Sequence, residues 1–321
     1  MIATRTLLEV KELCVDYLTD RGAVRAVDRV SLELQKGEFL GIVGESGCGK
    51  STLLYAIAQL LTPPAQITSG DVWFEGRDMV SMTDAELRHF RWRSFSIVMQ
   101  SAMNALNPVM TIGEQLRDAI EAHEKFSAAQ IRTRSAELLR LVGIDPVHLH
   151  SYPHQLSGGM RQRAMIAMAL VFTPDLVIMD EPTSALDVVA QRSLMLKIKQ
   201  LQREIGFATI FVTHDMSLVS HFSDRLAVMY AGQVVEVGDT RQVFSAPKHP
   251  YTVGLMRSFP SISGALQPLA GIPGSPPDLA HPPAGCRFHP RCPHVMPPCK
   301  TEEPGFYDLE GALARCFLFD R

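Results

Sequence analysis

Short apolar runs bounded by polar or glycine-containing turns recur along residues 1–245. Such runs are typical of buried β-strands. The predicted strands cover residues 7–17, 39–43, 95–99, 176–179, 209–212 and 226–230. Ala231-Gly232 follows the last of them and leads into another apolar run at 233–237, which predicts a hairpin.

Between these strands, apolar positions recur at the spacing of an α-helix. Residues 127–142 show this spacing, and residues 165–171 form an apolar stretch typical of a buried helix. The segment from about 84 to 172 is mostly helical in character. We therefore predict an α/β core that carries a helical insertion.

Proline usage changes near residue 246. Of the 21 prolines in the chain, 14 fall between Pro247 and Pro304. Because proline lacks the backbone donor that helices and strands use, long regular elements are not expected there. We predict two domains, residues 1–245 and residues 246–321.

Composition narrows the class of protein. The chain has 321 residues, 46% of them hydrophobic, and a formal net charge of −3. It can bury a large core, while the negative charge argues against sequence-independent binding of nucleic acid. No apolar run approaches the ~20 residues of a spanning helix, and residues 1–12 lack a signal-peptide core. We expect a cytosolic protein, or one that reaches a membrane only through partners.

A glycine-rich segment after the predicted strand 39–43 matches the phosphate-loop pattern G-x-x-x-x-G-K-[ST]. Its glycines let successive N–H groups turn toward one anion, and the following helix adds partial positive charge. The lysine can reach the outer phosphates, and the hydroxyl after it suits Mg²⁺. We predict that a nucleoside triphosphate binds to Gly44, Glu45, Ser46, Gly47, Cys48, Gly49, Lys50, Ser51 and Thr52.

Two acidic residues follow the apolar strand at 176–179. At the end of such a strand, Asp180 can hold Mg²⁺ directly or through water. Glu181 is then placed to polarise the attacking water. An acidic strand end is a weak signal alone, and the preceding phosphate loop makes it specific.

A second glycine motif, Ser157-Gly158-Gly159, precedes a predicted helix that starts near Arg161. The serine can cap that helix, and the glycines leave backbone N–H groups open to a phosphate. Its position shortly before the acidic strand distinguishes it from an ordinary helix cap.

In this order the motifs resemble those of ABC-type ATPases over residues 5 to about 245. The resemblance also rests on the run Ser184-Ala185-Leu186-Asp187. It implies a P-loop nucleoside-triphosphatase core with an antiparallel β subdomain and the helical insertion. The same resemblance implies a role for four further residues. Tyr17 would stack on adenine, and Gln100 would contact Mg²⁺ and the attacking water. Asp187 would lie at the dimer interface, and His214 would bond the γ-phosphate.

In this family the Ser-Gly-Gly motif, here residues 157–159, is called the signature. The resemblance further implies that each nucleotide site is completed by the signature of a second subunit. ATP would then hold a head-to-tail dimer together, and hydrolysis would let it open. This ligand-driven shift between a closed and an open dimer can do mechanical work on an attached membrane protein. Met160 departs from the glutamine found in many relatives, while Ser157 and Gly159 are intact.

Four cysteines lie in the last 36 residues with the spacing C-x₅-C-x₆-C-x₁₆-C. Loops of this length suit a bulky iron–sulfur cluster, whereas structural zinc usually takes closer pairs. The tail also resembles the C-terminal extension of oligopeptide and dipeptide importer ATPases, for example at His249-Pro250-Tyr251-Thr252. That resemblance implies a [4Fe–4S] cluster, with zinc and free thiols as alternatives. The expected ligands are Cys286, Cys292, Cys299 and Cys316.

These resemblances predict the ATP-hydrolysing subunit of a prokaryotic dipeptide or oligopeptide importer, located at the cytoplasmic face of the plasma (inner) membrane. The expected partners are a second, related ATPase subunit in a heterodimer, two membrane-spanning permease subunits and an external solute-binding protein. The sequence does not identify the transported solute, so nickel and oligosaccharides remain alternatives to peptides. A soluble ABC ATPase usually carries two cassettes or a coiled-coil insertion, and neither is found in this sequence. A module that binds ATP without turnover is a second alternative, and the presence of Glu181 and His214 argues against it.

Overall fold

The computed structural model describes residues 6–99, 105–184, 186–258 and 271–320. These residues form two compact units. The phosphate-loop unit contains residues 6–34, 39–80 and those from 212 onward. The signature unit contains residues 35–38 and 81–211.

Strands and α-helices follow one another along the described residues. The strands are β1 (Thr6–Thr19), β2 (Gly22–Gln35), β3 (Phe39–Val43), β4 (Ala65–Phe74), β5 (Arg77–Asp78), β6 (Phe95–Val98), β7 (Leu176–Asp180), β8 (Ala208–Val212), β9 (Arg225–Tyr230), β10 (Gln233–Asp239), β11 (Tyr307–Asp308) and β12 (Ala312–Ala314). The α-helices are α1 (Lys50–Ile57), α2 (Asp84–Phe90), α3 (Ile112–Glu121), α4 (Ala128–Leu141), α5 (Gly158–Ala169), α6 (Val188–Ile205), α7 (Met216–Phe222), α8 (Thr240–Ser245) and α9 (Pro250–Arg257).

The phosphate-loop unit contains two sets of paired strands. β2, β1, β4 and β5 adjoin in that order, with β1 antiparallel to β4. In the other set, β3 pairs in parallel with β9, and β10, β12 and β11 follow in antiparallel order. Two strands of the C-terminal region therefore extend the sheet whose strand β3 leads into the phosphate loop.

The signature unit combines parallel strands with locally encoded helices. β6 pairs in parallel with β7. Helices α2, α3 and α4 each begin with a capping box, in which Thr83, Thr111 or Ser127 exchanges hydrogen bonds with the third helical residue. These caps satisfy backbone N–H groups that the first turn of a helix leaves unpaired, which fixes where each helix begins.

The strands predicted from apolar runs are present, with ends that differ by two residues or fewer. The prediction missed β2 and β4, because many of their side chains face outward and interrupt the apolar run. It also missed β5, β11 and β12, which are only two or three residues long. The predicted hairpin is the β9–β10 pair. In the part of the chain that the structure describes, every helix is too short or too polar to cross a membrane.

Candidate nucleotide-binding site

Three glycines shape the phosphate loop between β3 and α1. Gly44, Gly47 and Gly49 have φ values of 156°, 77° and 100°, where residues with a Cβ are rarely found. A Cβ on Gly44 would lie 2.2 Å from the carbonyl oxygen of Met229, and one on Gly49 would lie 2.2 Å from that of Ala26. Two of the glycines are therefore required by close backbone neighbours as well as by the turn.

Lys50 is the first residue of α1, and its side chain folds back against the loop. Its Nζ donates to the carbonyl oxygens of Gly44 and Glu45, both at 2.9 Å, and lies 3.7 Å from Sγ of Cys48. Burial raises the pKa of the Cys48 thiol, although the Lys50 charge opposes this, so the thiol stays neutral. The ammonium group and the N-terminus of α1 place positive charge at one loop, as binding of a polyphosphate requires.

Exposure differs along the loop. Ser46 and Gly47 at its tip are exposed, whereas Cys48 and Thr52 are buried and Ser51 is half-buried. The tip can therefore meet a ligand while the flanking residues anchor it to the unit.

Tyr17 approaches the beginning of α1 from β1. Its hydroxyl lies 3.1 Å from Oγ1 of Thr52. The structure thus brings the tyrosine predicted to stack on adenine to the phosphate loop, across 35 positions of sequence.

Glu45 is held by two residues of the C-terminal region that sequence reasoning did not place in the site. Its backbone N–H donates to the hydroxyl of Tyr251 at 2.9 Å. Its carboxylate accepts hydrogen bonds from Nη1 and Nη2 of Arg291 at 2.7 and 3.0 Å. Tyr251 belongs to a motif already noted for its resemblance, but no signal in the sequence pairs Arg291 with the loop.

His214 lies in the turn between β8 and α7 and is exposed. The preceding residue, Thr213, donates its N–H to the carbonyl oxygen of Ile42 at 3.5 Å. Asp215 caps α7 by accepting from the N–H groups of Ser217 and Leu218. The bond from Thr213 joins the histidine's turn to β3, the strand that enters the phosphate loop, and the Asp215 cap fixes where α7 begins.

In the signature unit, Asp180 is the last residue of β7 and is fully buried, at 0% exposure. Glu181 follows with a φ of 45°, a left-handed conformation that residues other than glycine seldom adopt. Its carbonyl oxygen accepts from the N–H of Ser184 at 3.3 Å. Backbone strain of this kind concentrates at functional positions, and here it turns the chain directly after the strand.

Ser157 caps α5, as predicted from the sequence. Its Oγ accepts from the N–H of Met160 at 3.3 Å. Gly159 has no atom within 4 Å of where a Cβ would stand, and its carbonyl oxygen accepts from Nε of Arg163 at 3.3 Å. Together with half-buried Gly158, this leaves room around the first turn of a 12-residue helix.

Asp187 caps α6 by accepting from the N–H of Ala190 at 2.9 Å. Gln191 donates through Nε2 to the carbonyl oxygens of Thr183 and Leu186, both at 3.1 Å. Sequence reasoning missed Gln191, which fixes the turn between Glu181 and Asp187.

The predicted site residues fall into two groups. Tyr17, the phosphate loop and His214 belong to the phosphate-loop unit. The signature unit carries Ser157, Gly158, Gly159, Asp180, Glu181 and Asp187. Gln100 and Ala185 lie outside the described residues.

Comparison with known proteins decides the family. The family model described as ABC transporter matches residues 27–184, and the oligopeptide/dipeptide transporter C-terminal region matches residues 235–299. The dipeptide transport ATP-binding protein DppD of Bacillus subtilis (strain 168) is 45% identical, covering 98% of this chain and 95% of the relative. The chain belongs to the family of ATP-binding subunits of oligopeptide and dipeptide ABC transporters.

Further relatives agree with this assignment. The oligopeptide transport ATP-binding protein OppD of Escherichia coli (strain K12) is 42% identical, covering 97% of this chain and 93% of the relative. Among solved structures, the dimeric cassette MJ0796, described as a bacterial ABC transporter cassette, is 30% identical with a TM-score of 0.66, covering 73% of this chain and 99% of that one. The predicted α/β cassette fold is therefore confirmed, and this ABC subunit is an ATPase.

The C-terminal region of this ABC subunit gathers its four cysteines. The N–H of Cys286 donates to the carbonyl oxygen of Cys299 at 3.0 Å. Burial raises the pKa of Cys286, Cys292 and Cys316, and the neighbouring cysteines add to this rise. Each sulfur also accepts a backbone N–H, for example that of His294 on Cys292 and that of Met296 on Cys299, both at 3.4 Å. Backbone N–H groups directed at sulfur stabilise the thiolate form that binds metals.

As the side chains stand, burial raises the pKa of both Cys286 and Cys316 to about 11, so these thiols are neutral near pH 7. All six cysteines are free. Among the described residues, no group of three or more His, Cys, Asp or Glu side chains is arranged to hold a metal ion. Among these residues, the cysteines predicted to hold a [4Fe–4S] cluster are therefore not arranged as a metal-binding group.

Proposed function

We propose that this chain is the ATP-hydrolysing subunit of a prokaryotic importer for dipeptides or oligopeptides. The supporting observation is that relatives named for dipeptide and oligopeptide transport are similar over 97–98% of this chain. The match to the transporter C-terminal region at residues 235–299 adds to it, because that region goes beyond the nucleotide cassette.

In this proposal the catalytic carboxylate is Glu181, which polarises the water that attacks the γ-phosphate. Its strained position after a buried strand supports the role. His214 bonds the γ-phosphate, Gln100 contacts the attacking water, and Tyr17 stacks on adenine. The turn that carries His214 is tied to β3, and Tyr17 lies against Thr52, in agreement with these roles.

Mg²⁺ accompanies the nucleotide in this proposal. Ser51, Gln100 and Asp180 are its expected ligands, because hydroxyl, amide and carboxylate oxygens are the donors that Mg²⁺ prefers. The ion would neutralise charge that develops on the phosphate oxygens. The chain's own contribution is the cationic loop around Lys50, which binds and orients the phosphates.

Two subunits share each nucleotide site in this proposal. The open first turn of α5, at Ser157, Gly158 and Gly159, suits the phosphate of a partner's nucleotide. Asp187 would lie at that interface. The partner ATPase is a related chain in a heterodimer, bound with it to two permease subunits at the cytoplasmic face of the plasma membrane, and an external solute-binding protein delivers the solute.

The tail cysteines are proposed to hold a [4Fe–4S] cluster through Cys286, Cys292, Cys299 and Cys316. Their mutual proximity and the N–H groups directed at each sulfur support a four-thiolate centre. The intervals of five, six and sixteen residues between the cysteines suit a bulky cluster better than one zinc ion, which usually takes closer pairs. The cluster would cross-link a proline-rich segment that has little core of its own.

Reconstitution in proteoliposomes tests the transport function. The chain would be combined with its second ATPase, its permeases and the binding protein, and ATP hydrolysis would be measured together with uptake of a labelled dipeptide and a labelled pentapeptide. Peptide-loaded binding protein is expected to stimulate both. The Glu181→Gln variant serves as the control that assembles but does not take up peptide.

Other outcomes redirect the assignment. Stimulation by nickel or by an oligosaccharide instead of peptide would replace the proposed solute. ATPase activity that persists without any association with permeases would favour a soluble ABC ATPase.

A further inference from the structure

Arg291 joins the C-terminal region to the phosphate loop through a two-pronged ion pair with Glu45. The distances are 2.7 Å from Nη1 to Oε2 and 3.0 Å from Nη2 to Oε1. The side chain of Arg291 is 5% exposed and that of Glu45 is 25% exposed. A buried, bidentate arginine fixes the orientation of a carboxylate as well as neutralising it.

Arg291 is itself held rigidly. Its Nε donates to the carbonyl oxygen of Pro273 at 2.8 Å, and its guanidinium lies 5.8 Å from the ring centre of Tyr230. Tyr230 packs with Tyr251 at 4.6 Å between ring centres, and Phe288 packs against both tyrosines. The arginine is therefore positioned by Pro273 of the C-terminal region and by Tyr230 of β9, which packs against the C-terminal residues Tyr251 and Phe288.

Tyr251 makes the second contact with the same loop residue. Its side chain is fully buried, and its hydroxyl accepts the N–H of Glu45 at 2.9 Å. The backbone and the side chain of Glu45 are thus held by two different residues, 206 and 246 positions away in sequence.

The negative charge of Glu45 makes this ion pair important for nucleotide binding. Glu45 is the second residue of a loop that receives a polyanion, so a free carboxylate there would repel the triphosphate. An arginine side chain keeps its positive charge at all working pH values, so Arg291 always presents a cation to Glu45. The pair reduces the repulsion and fixes the position of the carboxylate.

We propose that Arg291 and Tyr251 are positioning residues of the phosphate loop, so that tight ATP binding depends on the folded C-terminal region. The proposal rests on contacts inside the phosphate-loop unit and does not depend on which solute is transported. It gives the C-terminal region a direct means of controlling the nucleotide site.

A double-mutant cycle on the full-length chain tests this. The dissociation constant for ATP would be measured by equilibrium titration in a Glu181→Gln background, which suppresses turnover. Arg291→Gln is expected to weaken ATP binding about tenfold. In a chain that also carries Glu45→Gln, the same arginine substitution is expected to change binding less than about twofold, because the repelling charge is gone.

Arg29→Gln is the matched control. Arg29 also forms an ion pair between the body of the unit and the C-terminal region, but its partner is Glu303 and not a phosphate-loop residue. It is expected to leave ATP binding within about twofold of the parent. If Arg291→Gln weakens binding equally in both Glu45 backgrounds, general loosening explains the loss and the proposal is wrong.

Milder variants keep the test decisive if Arg291→Gln does not fold. Arg291→Lys retains the charge without the fork and is expected to lose less affinity than the glutamine variant. Tyr251→Phe removes only the hydroxyl and is expected to weaken ATP binding several-fold. Parent affinity in both variants would overturn the proposal.

Discussion

Arg287 and Asp28 form a buried ion pair, with 2.7 Å between Nη2 and Oδ2 and side-chain exposures of 7% and 3%. The pair connects the C-terminal region to β2, and Gln233 also donates to the same carboxylate at 2.8 Å. Removing one partner of such a pair leaves an uncompensated buried charge.

Arg287→Met is therefore expected to lower the free energy of unfolding by about 3 kcal/mol, because Asp28 would lose its main cation. Urea denaturation followed by circular dichroism measures this. Arg29→Met is the control, since Arg29 contacts the same carboxylate at 3.4 Å but is 43% exposed. Its expected cost is about 1 kcal/mol or less, and equal costs for the two variants would contradict the argument.

The same carboxylate predicts a dependence of stability on pH. Burial raises the pKa of Asp28, but the Gln233 hydrogen bond and the Arg287 charge outweigh burial and leave the pKa below its ordinary value. Because the folded pKa is the lower one, the stabilisation is present above the unfolded pKa of about 4 and is lost as pH falls below it. Unfolding measured between pH 7 and pH 3 should show this loss in the parent and a smaller loss in Asp28→Asn.

Gly49→Ala is expected to abolish ATP binding, because its Cβ would lie 2.2 Å from the carbonyl oxygen of Ala26 at a φ of 100°. The backbone strain alone costs roughly 1–3 kcal/mol. Gly305→Ala, with open space around its Cβ position, should leave ATP binding unchanged. Both are read by titration with ATP, and normal binding by Gly49→Ala would contradict the loop geometry.

Lys50→Ala and Glu181→Gln are expected to separate binding from hydrolysis. The first removes the ammonium group that lies over the loop, so nucleotide binding should be lost. The second keeps binding but should slow hydrolysis by about 10²–10⁴-fold, since the base that orients water is missing. Phosphate release and ATP titration on the same samples check both, and near-parent turnover by Glu181→Gln would assign the catalytic role elsewhere.

Protein purified without oxygen is expected to be brown and to contain iron and sulfide. Cys299→Ser should remove both and destabilise the C-terminal region, because the cluster would no longer cross-link this proline-rich segment. Cys14→Ser is the control, as this buried cysteine lies in β1 and accepts the N–H of Arg29 instead. Colourless protein with one equivalent of zinc would identify a zinc site, and metal-free protein with an intact tail would exclude both.

The sequence by itself determined the elements whose chemistry is local. The phosphate loop and the Ser157 cap could be predicted because their function depends on neighbouring residues and on backbone conformations that glycine or serine favours. The buried strands β3, β7 and β8 could be predicted because a strand covered on both faces is a continuous apolar run.

Only the tertiary structure decided which distant segments meet. The 246 positions between Glu45 and Arg291, and the 259 between Asp28 and Arg287, carry no periodic signal that could pair them. The addition of β12 to β10 likewise depends on the path of the whole C-terminal region. Burying a charge without an opposite charge beside it is unfavourable, so each of these buried charges needs a partner. Tertiary packing, and not the neighbouring sequence, decides which distant residue lies close enough to pair with it.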